Sequence, residues 1–192
     1  MSGGHGHGHG HAETDNKKIA ILISILALLL AIAETAGKSA QTDAIKYNVE
    51  ASNLWAFFQA KTIRMTTLRT AAETLELDEA LAKDPEIKKI ITKRIERWKD
   101  AAKRYDSEPE TQEGRKELAR RAKESDKKHK TALARYHHYE IASASFQIAI
   151  VLASAYVITT MVQLLWIALG LGGVGLIFSA IGAFAPHAFH LF

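Results

Sequence analysis

Gly170-Leu171-Gly172-Gly173-Val174-Gly175 reads as G-x-G-x-x-G, the loop that brings backbone N–H groups up to a dinucleotide pyrophosphate. That chemistry needs a strand before the loop, a helix after it, and an acid about twenty residues on for the ribose. Here no Asp or Glu follows Glu140, and only 17 residues follow Gly175. The stretch is not expected to complete a βαβ unit. Within a membrane, small residues four apart let helix backbones approach closely. Gly175, Ser179 and Ala183 make one such packing row, and Ser145, Ala149 and Ala153 make another on the preceding apolar stretch.

His5, His7, His9 and His11 alternate with glycine. Neutral imidazole is a good ligand for Zn²⁺, Ni²⁺ and Cu²⁺, but a spacing of two is not a helical metal motif. No cofactor is expected beyond weak capture of those ions by the tail, which would make the chain metal-responsive. His137 and His138 stand beside Tyr136 and Tyr139 ahead of an apolar stretch. Amphipathic rings are favoured at the headgroup level, so these read as interface anchors. His187 and His190 follow the last apolar stretch at i, i+3 and read as a solvated terminus. Glu34 and Gln163 are the polar groups nearest membrane depth, and Glu34 reads as interfacial. The chain has no cysteine, which excludes disulfides and thiolate chemistry. No nucleophile stands with a base and no carboxylates pair at a cleft. No catalytic residue is assigned, and no enzymatic activity is expected.

The elements that position these residues follow from how charge is segregated. The net charge is +4, yet from Ile141 to Phe192 there is not one Asp, Glu, Lys or Arg in 52 residues. Charged residues normally make up about a quarter of a chain. A spanning helix needs ~20 mostly apolar residues. The stretch therefore divides into a second span at 141–158, a turn at 159–163, a third span at 164–185 and a short tail at 186–192. Near the other end, 17–37 reads KKIAILISILALLLAIAETAG. Its uncharged core, Ile19–Ala33, has 15 residues, ~22 Å of helix against a hydrocarbon layer of ~30 Å. Lys17, Lys18 and the Ala31-Ile32-Ala33 triplet fit a cleavable signal peptide. They also fit a first span with snorkelling lysines. The helical pattern runs on past Ala33, which favours the span. Residues 1–16, Gly- and His-rich, have nothing to bury and read as a disordered tail.

The charged region 38–140 reads as three helices. The first runs from about Thr42 to Leu77 on a seam of Leu54, Phe58, Met65, Leu68, Ala72 and Leu75. Asp84-Pro85-Glu86 supplies an N-cap, a proline in the first turn and an acid. The second helix carries Ile87, Ile91, Ile95, Trp98, Ala102 and Tyr105. Ser107-Glu108-Pro109-Glu110 reads as a capping box starting a third helix. The seam of that helix is Leu118, Ala122, Ser125, His129, Ala132, Tyr136 and Tyr139, spaced four and three. The fold class is thus all-α: three transmembrane helices with a long extramembrane helical hairpin of coiled-coil type.

Residues 120–130, RRAKESDKKHK, form a basic face that is solvated or touches anionic lipid. Elsewhere acids mix evenly with bases, so no nucleic-acid partner is expected. Lys and Arg flanking the spans concentrate in 38–140, which places that region in the cytoplasm. The expected partners are the lipid bilayer, further copies of the chain and another membrane complex.

ASNLWAFFQAKTIRMTTLRTAAETLEL (51–77) and ARYHHYEIASASFQIAIVLAS (134–154), with the Lys-Lys-led first span, carry a resemblance. The chain resembles an uncharacterised family of small bacterial membrane proteins, a domain-of-unknown-function family, over roughly 17–185. The marks are the run Trp55-Ala56-Phe57-Phe58-Gln59-Ala60-Lys61 and the aromatic-histidine stretch. The resemblance implies a bacterial inner-membrane protein and no known activity. Together these features suggest a self-associating membrane scaffold or accessory subunit. The alternative is a channel or transport component with Ser145, Thr159, Gln163 and Ser179 lining a polar stripe.

Overall fold

A computed structural model describes residues 9–188, with side chains for 17–188. Among the described residues there are four helices and no strands: α1 (His9–Leu81), α2 (Pro85–Asp106), α3 (Arg115–Thr159) and α4 (Val162–Phe184). The helices form two compact units. Ile45–His129 is the second unit, and the chain on either side of it is the first.

No break separates the first apolar stretch from the charged helix that follows. No proline interrupts α1, which is one helix of 73 residues. Gly37, the residue best placed to end a helix there, is instead buried against Tyr139.

In the first unit, α1 packs through Ile19, Ile23, Leu26, Leu30, Ala33, Gly37, Ala40 and Ala44, all buried or half-buried. They are spaced four and three alternately, a 3.5-residue seam. α3 presents Phe146 and Ala153 at seven-residue spacing. It carries an additional stripe, His138, Ala142, Ser145 and Ala149, all buried. That stripe exists because α4 adds a third helix here. Leu26, Ala33, Ala142, Phe146, Ala149, Ala153 and Ala168 form the core.

In the second unit, α1 buries or half-buries Ala51, Leu54, Phe58, Lys61, Met65, Leu68, Ala72 and Leu75 on the same spacing. Asp84 caps α2, its side chain accepting from the Glu86 N–H at 2.8 Å with Pro85 in the first turn. Ile91, Ile95, Trp98, Ala102 and Tyr105 pack inward as the spacing predicts, whereas Ile87, in the first turn of α2, is exposed.

The start of α3 differs from the sequence expectation. Ser107 closes α2 rather than opening α3, and residues 109–112 form a turn. The carboxylate that ties this junction comes from Glu117, within α3. It accepts from the Ser107 hydroxyl at 2.7 Å and the Glu108 N–H at 3.1 Å. Gly114 permits this closure, because a Cβ there would stand 2.7 Å from the Ser107 Cα.

Candidate functional site

The centre of the first unit is a close approach of α3 and α4. Phe146 is fully buried, and its ring occupies the space a side chain on Gly175 would need. A Cβ at that position would lie 2.6 Å from Phe146 Cε1. A Cβ on Gly172 would meet Leu26 of α1 at 3.0 Å. Further along, Tyr139 lies between two glycines. Its Cβ is 3.2 Å from the place a Cβ on Gly37 would take, and its ring is 3.3 Å from that of Gly182.

The packing rows sort clearly. Ser145, Ala149, Ala153 and Gly175 are buried in this core, and Ser179 is half-buried. Ala183, expected on the same row, is exposed. The buried row on α4 is Ala168, Gly172, Gly175 and Gly182. The 4-4 row starting at Gly175 drifts around the helix, because 3.6 residues per turn carries each fourth residue ~40° further. Gly170, the first letter of the fingerprint, and Gly173, at one of its variable positions, meet nothing within 4 Å. All four glycines lie inside α4, so no phosphate-binding loop exists at that place.

The polar groups do not gather into one stripe. The Ser145 hydroxyl donates to the Ile141 carbonyl of its own helix at 2.8 Å. The Ser179 hydroxyl is buried without a partner. Thr159 and Gln163 are exposed around the α3–α4 turn. Glu34, on the outer face of α1, accepts from the Gln147 side-chain amide at 3.0 Å.

His138 is 1% exposed, so it is a core residue rather than a surface anchor like the half-buried His137. Its Nε2 lies 3.1 Å from the Pro186 carbonyl, to which it donates, and its Nδ1 is buried without a partner. His187 Nε2 and the Thr131 hydroxyl are 3.0 Å apart. Two contacts thus hold the turn after α4 onto α3. Single-residue spacing cannot separate His137 from His138. The signal is that 138, 142, 145 and 149 continue one helical face. His5, His7 and His190 lie outside the described residues, as do the side chains of His9 and His11. Among the described residues no group of three His, Asp or Glu side chains is placed to hold a metal.

In the second unit the Trp55–Lys61 run is a packing centre. The Trp55 indole donates to Asp126 at 3.1 Å and meets Phe58 edge to face at 5.5 Å. Arg115 lies over the Phe58 ring at 5.7 Å, and the Lys61 ammonium over Tyr105 at 5.3 Å. At the α2–α3 junction, Asp106 accepts from Arg115 at 2.9 Å and pairs with Lys116 at 2.8 Å. Lys116, then Arg115, hold its carboxyl below the usual carboxylate range against the cost of partial burial. The Ser107 hydroxyl does the same for Glu117. A groove of about 590 Å³ lies between α1 and the first turns of α3, with Leu54, Phe57 and Leu118 in its walls.

The fold and its packing define an all-helical protein in which α1, α3 and α4 are long and apolar enough to cross a membrane. The chain belongs to the domain-of-unknown-function family DUF4337, which it matches over residues 15–185. No curated protein and no solved structure matches it.

Proposed function

We propose that this chain is a three-span integral membrane protein, without enzymatic activity, that self-associates as a scaffold or accessory subunit. One observation carries the membrane reading. In the first unit small residues fill most of the core around Leu26 and Phe146, while many large apolar side chains lie outside. The core row on α4 is glycine and alanine, while Trp166, Ile167, Leu176 and Ile177 are 50–70% exposed. On α1, Ile21, Ile25, Leu28 and Ile32 are 51–63% exposed. Water would penalise such a surface, and lipid does not. In lipid, helices associate through close packing of small residues rather than by hiding large ones. The test is extraction of membranes with alkaline carbonate: the chain stays in the pellet, and release to the supernatant overturns the span assignment.

The Glu34–Gln147 pair supports self-association. Glu34 is interfacial, but its partner Gln147 lies within the 141–158 span, where polar groups normally face a protein interior. Here the pair lies on the outer face of the first unit, where a neighbouring copy would cover it. Sizing in detergent with mass photometry tests this, and a monomer at all concentrations removes the reading. The Lys and Arg excess in 38–140 supports a cytoplasmic second unit in a bacterial inner membrane. Protease added outside spheroplasts would then leave that region intact. The channel alternative has less support, because its four polar residues are divided between the bundle core and the exposed turn.

A further inference from the structure

We propose that α1 carries a second seam, on the outside of the second unit, and that the same seam of a second copy covers it in parallel. This rests on the self-association reading and names the face that performs it.

Steps of four and three in turn along α1 from Val49 reach ten positions, the last being Leu81. All ten are exposed and none is charged. Val49, Ile63, Leu77 and Leu81 are the large members, at 53, 66, 68 and 78% exposure. Asn53 is the single amide, and alanine or threonine fills the remaining places. Over the same stretch α1 carries eight charged residues, and every one lies off this stripe. A solvated helix face has no reason to keep such a row clear of charge. At 100° per residue the row falls on the side of α1 roughly opposite the buried seam. Neither α2 nor α3 of the same chain covers it, since each member is exposed with both present.

The occupant follows from the chemistry of the row. A 3.5-residue period is the repeat with which one helix follows another in a left-handed supercoil. A partner chosen by charge has nothing to recognise, because the row holds no charge of either sign. Asn53 both donates and accepts, so its counterpart across a two-fold axis satisfies it. One such Asn in an apolar seam fixes register and orientation in parallel pairs. The row is ~50 Å long at 1.5 Å per residue. Ten side chains at ~70 Å² each come to ~700 Å² per copy, close to the ~800 Å² per partner of a standard stable interface.

The chain has no cysteine, so single replacements report cleanly. Asn53→Cys and Thr67→Cys lie on the row, and Arg69→Cys is an exposed control away from it. Each is made in the full chain in native membranes and oxidised with copper phenanthroline. The two row variants form the disulfide-linked dimer at least ten-fold faster than the control, and Ile63→Lys shifts the chain toward monomer in sizing. If the chain is oligomeric but the row variants link no faster than Arg69→Cys, this proposal is overturned while self-association stands. If it is monomeric throughout, both fail. Row cysteines shielded from a water-soluble maleimide without any dimer formed mean a lipid surface or another protein covers the row, which also overturns the proposal.

Discussion

Phe146 of α3 and Gly175 of α4 occupy one space: the ring stands where the side chain of residue 175 would be, 2.6 Å from an ideal Cβ. Neither partner can yield easily, because Phe146 is fully buried with Ala142 and Ala149 in the same core. Overpacking of this kind costs ~1–3 kcal/mol. Gly175→Ala is therefore expected to lower the thermal midpoint in detergent, and Gly175→Leu to separate α4 from α3. Phe146→Ala alone opens a cavity and costs ~3–5 kcal/mol. Combined with Gly175→Leu it should cost less than the sum of the two, the mark of residues in contact. Additive losses would show that the ring and the glycine do not meet.

Two other glycines of this string should behave differently. Gly170 and Gly173 meet nothing within 4 Å and lie inside α4. Glycine in a helix interior is ~1 kcal/mol less favourable than alanine. Gly170→Ala and Gly173→Ala should leave the midpoint unchanged or raise it. A loss as large as that of Gly175→Ala would mean that a face of α4 left open in one chain is covered in the assembly.

The helices were legible in the sequence because their causes are local. The caps at Asp84-Pro85, the seams of α1 and α3 and the uncharged stretch after Glu140 all follow from residue type and spacing. What was not legible depends on neighbours distant in the chain. Gly172 and Gly182 join the core row where α4 meets Leu26 and Tyr139, and Ala183 leaves it because each fourth residue drifts ~40° around the helix. His138 is buried and His137 half-buried because α4 adds a second buried stripe to α3. The expected capping box at Ser107–Glu110 does not form, because the Ser107 N–H donates to the Lys103 carbonyl and the Ser107 hydroxyl to Glu117, ten residues on.

His138 fastens the turn after α4. Its Nε2–H donates to the Pro186 carbonyl, and both residues are buried. Losing one partner of a buried hydrogen bond costs ~1–3 kcal/mol. His138→Ala adds a cavity to that loss. His138→Gln places an amide donor near the position of Nε2 and should recover part of it. The readout is proteolysis at the C-terminal end of α4, faster in His138→Ala and intermediate in His138→Gln. Equal cleavage of all three proteins would remove the fastening role.

Acid should loosen the second unit at its α2–α3 junction. Lys116 and Arg115 lower the Asp106 carboxyl, and the Ser107 hydroxyl lowers that of Glu117. A carboxylate lowered on folding stabilises above its unfolded value, ~4, and that contribution is lost as pH falls through the lower folded value. Stability should thus be level from neutrality to about pH 4 and decline below it. Asp106→Asn should flatten that decline while lowering stability at neutral pH. Circular dichroism of thermal unfolding between pH 2 and 7 gives both slopes, and an unchanged acid slope in Asp106→Asn would assign the decline elsewhere.

The turn between α3 and α4 holds Thr160 at φ 55°, a left-handed conformation that costs a side chain ~1–2 kcal/mol. Two bonds offset this: its N–H donates to the Tyr156 carbonyl at 2.8 Å, and its hydroxyl to the Thr159 carbonyl at 2.7 Å. The backbone bond survives substitution and the strain need not. Thr160→Gly removes the clash of Cβ, and Thr160→Asn tolerates the same φ with a polar side chain. Either should raise stability by ~1 kcal/mol, or ~2–4 °C in the midpoint of a chain of this size. Thr160→Ile keeps the branched Cβ, loses the hydroxyl and should lower it. The three variants rank in opposite directions around the native residue, so a thermal scan that placed Thr160→Gly below native would show that this turn is not under strain.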